Sequence, residues 1–297
     1  DKRANLPLNA SSGDYDGGRC LFVTARRART GTITALMHVP FSLPSSLVVS
    51  VISHGHGPCV QALLEDLARF SSATVHRVVL TQNLHEAPPQ APGVGWPFIL
   101  QVVKNESPAG FGANHNRALT NATEDFVCVL NPDVGLGGHD PFAALTQAAG
   151  LQGVGCSYPV QLDEHGRVQD SEREVPSPLT LLRRRLLGRA ETRVDWVNAA
   201  CLVLPGAVWQ DLGGFDERYF MYCEDVDFCL RLRLRGLRLV KAPVQIIHAG
   251  QRASGRRLNH LAWHVRSLWR LWNSPVYRQA QHLLTVASAA KGTIGAP

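Results

Sequence analysis

The sequence predicts an α/β fold in which a mixed, mostly parallel sheet is flanked by helices. Four runs are predicted to be strands, at 47–52, 75–81, 98–103 and 125–130, and the first of them, which is rich in β-branched residues, is predicted to be buried. Two segments between them have helical spacing, 60–70 and 114–122. Strands that alternate with helices at this spacing favour a parallel sheet, and 45% hydrophobic residues allow a substantial core.

After residue 150 the order and spacing of the predicted strands and helices change. A strand is predicted at 154–160, a hairpin at 162–169, a basic helix at 179–188, a strand at 194–204, a helix at 224–236 closed by Gly236, and a strand at 237–247. The alternating run 230–234 is compatible with a strand as well as with a helix. Residues 1–44 lack a clean period and form either a β-ribbon or a flexible arm. We therefore expect a segment of unassigned structure at 1–44, a single catalytic domain at 45–255, and a helical tail at 256–297 that packs on the domain or on a membrane face.

The net charge and the cysteine content indicate which kinds of partner and which cellular compartment are expected for this chain. The net charge of +6 favours an acidic partner, either nucleic acid, an anionic membrane face or a phosphorylated small molecule. Aromatic residues are not interleaved with the basic clusters, which argues against nucleic acid. Seven scattered cysteines without a CxxC pair, and no apolar signal segment near residue 1, predict reduced thiols and a cytoplasmic protein.

Asn131-Pro132-Asp133 follows the fourth predicted strand. Parallel sheets bind ligands beyond the carboxyl ends of their strands. A carboxylate there is suited to Mg²⁺ or Mn²⁺ bridging two phosphates, because these cations prefer oxygen ligands. Taken alone, the tripeptide is more typical of a turn that has no chemical role.

Three other features suggest a site. The loop from Gly110 to Asn116 combines glycines, which allow close backbone approach, with amides that bond sugar or phosphate oxygens. Glu224, Asp225 and Asp227 form an acidic cluster that offers a general base, although an acidic first helical turn would look the same. His248 ends a strand and is either a metal ligand or a structural residue.

Taken together and in order, these motifs resemble family 2 glycosyltransferases with the GT-A fold, and within them a rhamnosyltransferase-like branch. The resemblance covers roughly residues 47 to 270. It is carried by the Gly110-Phe111-Gly112 loop with Asn116, by 130–134, by 194–201, by 213–227, and by His248.

The resemblance implies a role for each matched residue. Asp225 would be the catalytic base, with Glu224 as the next candidate, and Asp133 and His248 would bind the divalent metal, Mg²⁺ or Mn²⁺. The donor would contact ten residues: Ser53, His54, Gln82, Asn83, Gly110, Phe111, Gly112, Asn116, Asn131 and Asp133. The acceptor would contact Trp196, Asn198, Ala199 and Asp227.

Two positions depart from the family pattern. Members commonly have an aspartate after the second strand that reads the nucleobase, whereas this chain has Gln82 and Asn83. Ala199 stands where a glycine is usual, which would narrow the acceptor side.

The expected activity is inverting transfer of a sugar, such as rhamnose or another deoxysugar, from a dTDP- or UDP-type donor to a surface glycan or lipid-linked acceptor. The alternative is a catalytically silent protein of the same fold that binds nucleotide sugar or glycan. A nucleotidyltransferase is disfavoured because 53–57 contains no Lys or Arg. The basic 179–189 segment and the Trp-rich tail would either rest on the inner face of the plasma membrane or pack on the core.

Overall fold

A computed structural model describes four short strands before residue 44 and most of the chain from residue 45 onward. Beyond residue 44 it describes 45–178, 180–182, 193–249 and 257–294, with side chains to residue 284. The predicted basic helix at 179–188 falls largely outside the described residues. The chain divides into two compact units, 1–44 and 45–297, which we describe separately.

The first unit contains two antiparallel strand pairs. Strand β1 (Ser12–Tyr15) pairs with β2 (Gly18–Leu21), and β3 (Val23–Ala25) pairs with β4 (Ile33–Ala35).

The first half of the main sheet is parallel. Its spatial order is β7-β6-β5-β8, with the strands β5 (Leu47–Ser53), β6 (Val75–Gln82), β7 (Ile99–Lys104) and β8 (Phe126–Leu130). Every residue of β5 is buried because both faces of the sheet are covered. Val48 joins one apolar layer, whereas Val49 and Val51 join the layer on the opposite face.

The second half of the sheet mixes directions. Strand β8 continues into the order β13-β10-β14-β9, in which only β10 and β14 run parallel. These strands are β9 (Val134–Gly135), β10 (Val154–Leu162), β13 (Cys201–Pro205) and β14 (Arg238–His248). A separate two-stranded sheet joins β11 (Glu172–Arg173) to β12 (Trp196–Val197). The predicted mixed, mostly parallel sheet with flanking helices is confirmed.

Helices cover both faces of the sheet. One layer uses α1 (Gly57–Phe70) and α3 (Phe142–Ala149), and the other uses α2 (Phe111–Leu119), α4 (Gly206–Leu212) and α5 (Glu224–Leu234). Gly236, at φ 73°, follows α5 and closes it as predicted. There the Leu237 N–H donates to the Leu232 carbonyl at 3.1 Å and the Gly236 N–H to Arg233 at 2.9 Å, the Schellman arrangement.

Three sequence predictions need correction. The predicted strand at 194–204 is two short strands, because Asn198–Ala200 form a turn between β12 and β13. The helix predicted at 114–122 begins at Phe111 and ends at Leu119. The tail is two helices, α6 (Arg257–Asn273) and α7 (Pro275–Ile294), separated at Ser274, whose Oγ accepts the Tyr277 N–H at 3.0 Å.

The tail helices are part of the core of the second unit. Leu271, Tyr277 and Ala280 are buried in the same apolar layer as α5. The Trp272 indole N–H donates to the Pro176 carbonyl at 2.7 Å. Within the described residues, no helix combines the length and the apolar character required to cross a bilayer.

Candidate active site

Strand register brings the separated motifs to one edge of the sheet. Leu130, the last residue of β8, pairs with Cys201, the first residue of β13, and the Asn131 N–H donates to the Ala200 carbonyl at 2.9 Å. Val134 pairs with His248 at the end of β14. The Asn131–Asp133 turn therefore lies between the 198–200 turn and His248.

Asp133 and His248 form the pair that is best placed to hold a cation. The Asp133 Oδ1 lies 3.4 Å from the His248 Nε2, and each side chain is 14% exposed. Gln169 orients the histidine, since its Nε2 donates to the His248 carbonyl at 2.6 Å and its Oε1 lies 3.3 Å from Nδ1.

Two protein ligands suit a cation that is shared with a diphosphate. Mg²⁺ in particular is bound by one or two carboxylates while substrate phosphates and water complete its shell. Among the described residues, no group of three or more His, Cys, Asp or Glu side chains is arranged to hold a metal alone. The pair therefore fits a cation that arrives with its phosphates rather than a closed structural metal site.

The acidic turn before α5 has a strained backbone. Tyr222 and Cys223 adopt φ values of 71° and 66°, a left-handed conformation that is costly for residues with a side chain. The α6 helix stabilises this turn, because the Tyr222 hydroxyl lies 2.6 Å from the His260 Nδ1 and the Tyr222 ring stacks on His264 at 3.8 Å. Ser267 Oγ also donates to the Met221 carbonyl at 2.8 Å. The left-handed turn and its contacts with α6 together determine where α5 begins, with Glu224 and Asp225 as its first residues.

Asp225 is partly buried, and burial disfavours its charged form. Burial raises its pKa to about 6, while the hydrogen bond from the Val226 backbone N–H, at 2.8 Å, and the nearby positive charge of Arg173 oppose that rise. Because this pKa lies above the usual aspartate value but below neutral pH, Asp225 is mainly ionised at neutral pH.

Glu224 differs sharply from its neighbour. Its side chain is 6% exposed and its Oε2 atom is buried without a hydrogen-bond partner. Burial, and then the negative charge of Asp225, raise the pKa of Glu224 well above its usual value. We assign the proton of the pair to Glu224, because Asp225 has the backbone donors and the nearby arginine.

Asp227 serves the fold rather than the acceptor. Its carboxylate is 1% exposed and pairs with the Arg231 Nε at 2.7 Å. Arg231 also donates to the carbonyls of Leu212 and Gly214, at 2.9 and 2.8 Å. Because the side chain is buried and paired with Arg231, Asp227 is not free to contact the predicted acceptor. It stabilises the packing of α5 against the segment at Leu212 and Gly214.

The Gly110–Asn116 loop also has a mainly structural role. The Phe111 N–H donates to the Phe220 carbonyl at 2.9 Å, and a Cβ on Gly110 would lie 2.8 Å from that oxygen. A Cβ on Gly112 would lie 2.7 Å from the Phe215 Cβ, and the Asn116 amide exchanges two 2.8 Å hydrogen bonds with the Phe215 backbone. These contacts of Phe111, Gly112 and Asn116 position the segment leading to Glu224, and their donor contacts stay a prediction.

The ends of β5 and β6 border a cavity of about 550 Å³. The amide of Asn83 is fully engaged with His54, Ala109 and Asn105 and does not line this cavity. Gln82 does line it, and its buried Oε1 has no hydrogen-bond partner.

Glu86 adds a carboxylate to the same cavity. It accepts hydrogen bonds from the Ser53 Oγ at 2.7 Å and from the Gly55 N–H at 2.8 Å. Of the residues predicted at these strand ends, Ser53 and Gln82 face the cavity, whereas His54 and Asn83 hold the loop.

On the acceptor side, Trp196 and Asn198 are held by residues that sequence reasoning missed. The Trp196 indole N–H donates to the Glu174 carbonyl at 2.8 Å, and the Arg173 guanidinium lies 5.5 Å from the indole centroid. Asn198 exchanges amide hydrogen bonds with Gln161 at 2.6 and 3.1 Å. Gln161, Gln169 and Arg173 are dispersed polar residues whose roles arise only from strand pairing.

We expect Glu224→Gln to stabilise the protein increasingly as pH rises. Between the pKa of Glu224 in the unfolded state and its raised pKa in the native state, only the native wild type keeps the proton, so the stability of the wild type falls as pH rises. The glutamine variant has no such proton to lose. The difference in thermal unfolding midpoint between variant and wild type is measured at a series of pH values between about 5 and 8. Glu106→Gln, at an exposed position, is the control. A Glu224→Gln gap that stays constant with pH would contradict the assignment of the proton.

Comparisons with known proteins agree with this geometry. The family model described as glycosyltransferase-like family 2 matches residues 44–269. The chain is 28% identical over 254 residues to the N-acetylglucosaminyl-diphospho-decaprenol L-rhamnosyltransferase of Mycobacterium tuberculosis, covering 75% of this chain and 82% of the relative. It is 25% identical over 253 residues to the rhamnosyltransferase WbbL of Escherichia coli, covering 75% and 90%.

A solved structure is similar in fold. The mannosyltransferase PcManGT from Pyrobaculum calidifontis, in complex with GDP-Man and Mn²⁺, superposes with a TM-score of 0.53 at 16% identity, over 84% of this chain and 76% of that chain. The chain therefore belongs to the family 2 glycosyltransferases, in their rhamnosyltransferase-like branch, and is a glycosyltransferase with the GT-A fold.

Proposed function

We propose that this enzyme transfers rhamnose or another deoxysugar, with inversion, from a nucleotide-diphosphate donor to a hydroxyl of a surface-glycan or lipid-linked acceptor. The observation that carries the proposal is the adjacent carboxyl pair at the start of α5, in which Asp225 accepts the Val226 N–H at 2.8 Å and Glu224 is buried with its Oε2 atom unpartnered. The name of the mycobacterial relative, which specifies rhamnosyl transfer to a diphospho-decaprenol-linked sugar, supports the acceptor class.

In the proposed step, Asp225 acts as the general base. Its carboxylate takes the proton of the acceptor hydroxyl while that oxygen forms a bond to the anomeric carbon of the donor sugar. The bond from that carbon to the diphosphate breaks on the opposite face, so the nucleotide diphosphate leaves with the electron pair and the configuration inverts. Charge develops on the sugar as in glycoside hydrolysis.

Protein groups on the donor side hold the leaving group. Asp133 and His248, with Oδ1 and Nε2 3.4 Å apart, would hold Mg²⁺ or Mn²⁺ against the diphosphate. Such a cation supplies charge neutralisation to a leaving phosphate. Asn131, next to the 198–200 turn, is positioned between this pair and the acceptor side.

The cavity at Gln82 and Glu86 is the proposed nucleobase site. The Gln82 Oε1 is a buried acceptor that lacks a donor, and the Glu86 carboxylate faces the same space. Uracil and thymine each present an imide N–H, which matches an unsatisfied acceptor, so the site suits a dTDP- or UDP-type donor. In this chain Gln82 and Glu86 together would replace the aspartate that the family pattern led us to expect.

Asp225→Asn is expected to lower the rate of sugar transfer by about 10²–10⁴-fold, the usual contribution of a general base. Glu224→Gln is the matched control, because a glutamate that is already protonated loses no charge on this replacement. Transfer and donor hydrolysis are measured over a panel of nucleotide sugars with and without Mn²⁺. If Asp225→Asn retained turnover within a few-fold while Glu224→Gln lost it, the base would be Glu224.

Gln82→Leu should raise KM for the true donor about three- to tenfold with little change in kcat, since a net hydrogen bond to the base is lost. Gln61→Leu is the control, because Gln61 lines the same cavity but both its amide atoms already bond Glu65 and Gln90. Steady-state kinetics with the donor identified by the panel separates the two. Equal KM values for Gln82→Leu and wild type would place the base elsewhere.

A further inference from the structure

Helix α6 presents an outward stripe of large apolar residues. Leu261, Val265 and Trp269 are 60%, 59% and 69% exposed. They are spaced four residues apart, so their side chains lie on one face of the helix. Exposed apolar groups that form a contiguous patch, in contrast to single ones, mark interaction sites.

The exposure of this stripe does not come from a loosely packed helix. The opposite face of α6 is anchored, because Ser267 and Leu271 are buried and the Ser267 Oγ donates to the Met221 carbonyl at 2.8 Å. Three large apolar groups are therefore directed outward by a helix that is fixed in the core.

The charge next to the stripe is basic. Arg266 and Arg270 each follow a stripe residue on α6 and, with Phe220 and Trp263, line a cavity of about 350 Å³. Glu217 and Arg218 also line it, and Arg218 is paired with Asp216 at 2.6 Å. One carboxylate, Glu217, therefore stands against the two α6 arginines, and the balance at this edge is positive. Residues 228–297 as a whole contain twelve Lys and Arg and no Asp or Glu.

We propose that the Leu261–Val265–Trp269 stripe is a docking surface for an anionic phospholipid bilayer. Apolar side chains that include a Trp would enter the interfacial region, while Arg266 and Arg270 would contact lipid phosphates. This is the physical pattern of a helix that lies in the plane of a membrane surface. An anionic bilayer matches both features, since its interfacial region accepts the apolar side chains and its phosphates accept the arginines.

The helix that carries the docking surface also contacts the acidic turn. The same helix contacts Tyr222 through His260 and His264, and contacts Met221 through Ser267. A bilayer on the outer face of α6 would therefore lie about one helix diameter, roughly 10 Å, from the start of α5. If the acceptor is lipid-linked, as proposed above, its sugar would reach Asp225 while its chain stays in the bilayer.

Flotation of the purified chain with vesicles tests this surface. The vesicles are of phosphatidylcholine alone or of phosphatidylcholine with phosphatidylglycerol. We expect binding to the anionic vesicles only. The triple replacement Leu261→Ser, Val265→Ser and Trp269→Ser should lower the partition coefficient at least about tenfold. The double replacement Arg266→Gln and Arg270→Gln should lower it roughly fivefold per arginine, with a matching loss of salt sensitivity.

The matched control is Val94→Ser, Leu151→Ser and Val168→Ser, because these residues are 98%, 55% and 73% exposed elsewhere on the surface. It should bind vesicles like the wild type. Only variants that have the thermal unfolding midpoint of the wild type and retain donor hydrolysis are compared. Donor hydrolysis needs no lipid, so it reports on the active site independently of vesicle binding. Absence of binding to anionic vesicles, or equal loss in the control, would overturn the assignment. The assignment would also be overturned if light scattering showed a dimer that becomes monomeric only in the triple replacement. A second copy of the chain would then cover the stripe.

Discussion

The burial of two adjacent carboxyls, Glu224 and Asp225, at the start of α5 is the constraint on which the rest of the site depends. The two groups lie side by side, where they cannot both ionise at low cost. The Val226 backbone N–H donates to the Asp225 Oδ1 at 2.8 Å and the Arg173 charge is nearby, so both favour the anion at Asp225, and we assign the proton to Glu224. The hydrogen bond from the Asn131 N–H to the Ala200 carbonyl, at 2.9 Å, ties the Asn131–Asp133 turn to the 198–200 turn on the other side of the site.

Backbone strain and packing set the position of this pair. Two consecutive left-handed residues, Tyr222 and Cys223, precede Glu224, and such strain persists only where neighbours enforce it. Here the neighbours are α6, through His260 and His264, and the Gly110–Asn116 loop, through the Phe215 and Phe220 backbones. Substitutions of His260, His264 or Asn116 would therefore affect catalysis without contacting a substrate, whereas the outward residues of α6 do not touch this turn.

Sequence patterns predicted β5, β6 and β8 because apolar runs that are buried in a parallel sheet have few alternatives, and they also found the exposed edge strand β7. They placed Asp133 after β8 and His248 at the end of β14, whereas the distance of 3.4 Å between the two side chains follows from the pairing of β9 with β14. Patterns failed where long-range pairing decides the outcome. Asp227 looked like a site residue until its pairing with Arg231 was visible, and Glu86 is significant only because the β6–β7 connection folds back onto Ser53. Arg173 reaches Asp225 through a two-residue strand that has no sequence signature.

The pH dependence of kcat/KM for the acceptor tests the central claim most directly, that Asp225 is the ionised base and Glu224 its protonated neighbour. We predict that kcat/KM rises with pH and levels off near pH 6, where Asp225 loses its proton. The break should remain in Glu224→Gln and be absent from the residual activity of Asp225→Asn, which separates it from a histidine titration. A break that disappears in Glu224→Gln, or that remains in Asp225→Asn, would contradict the account.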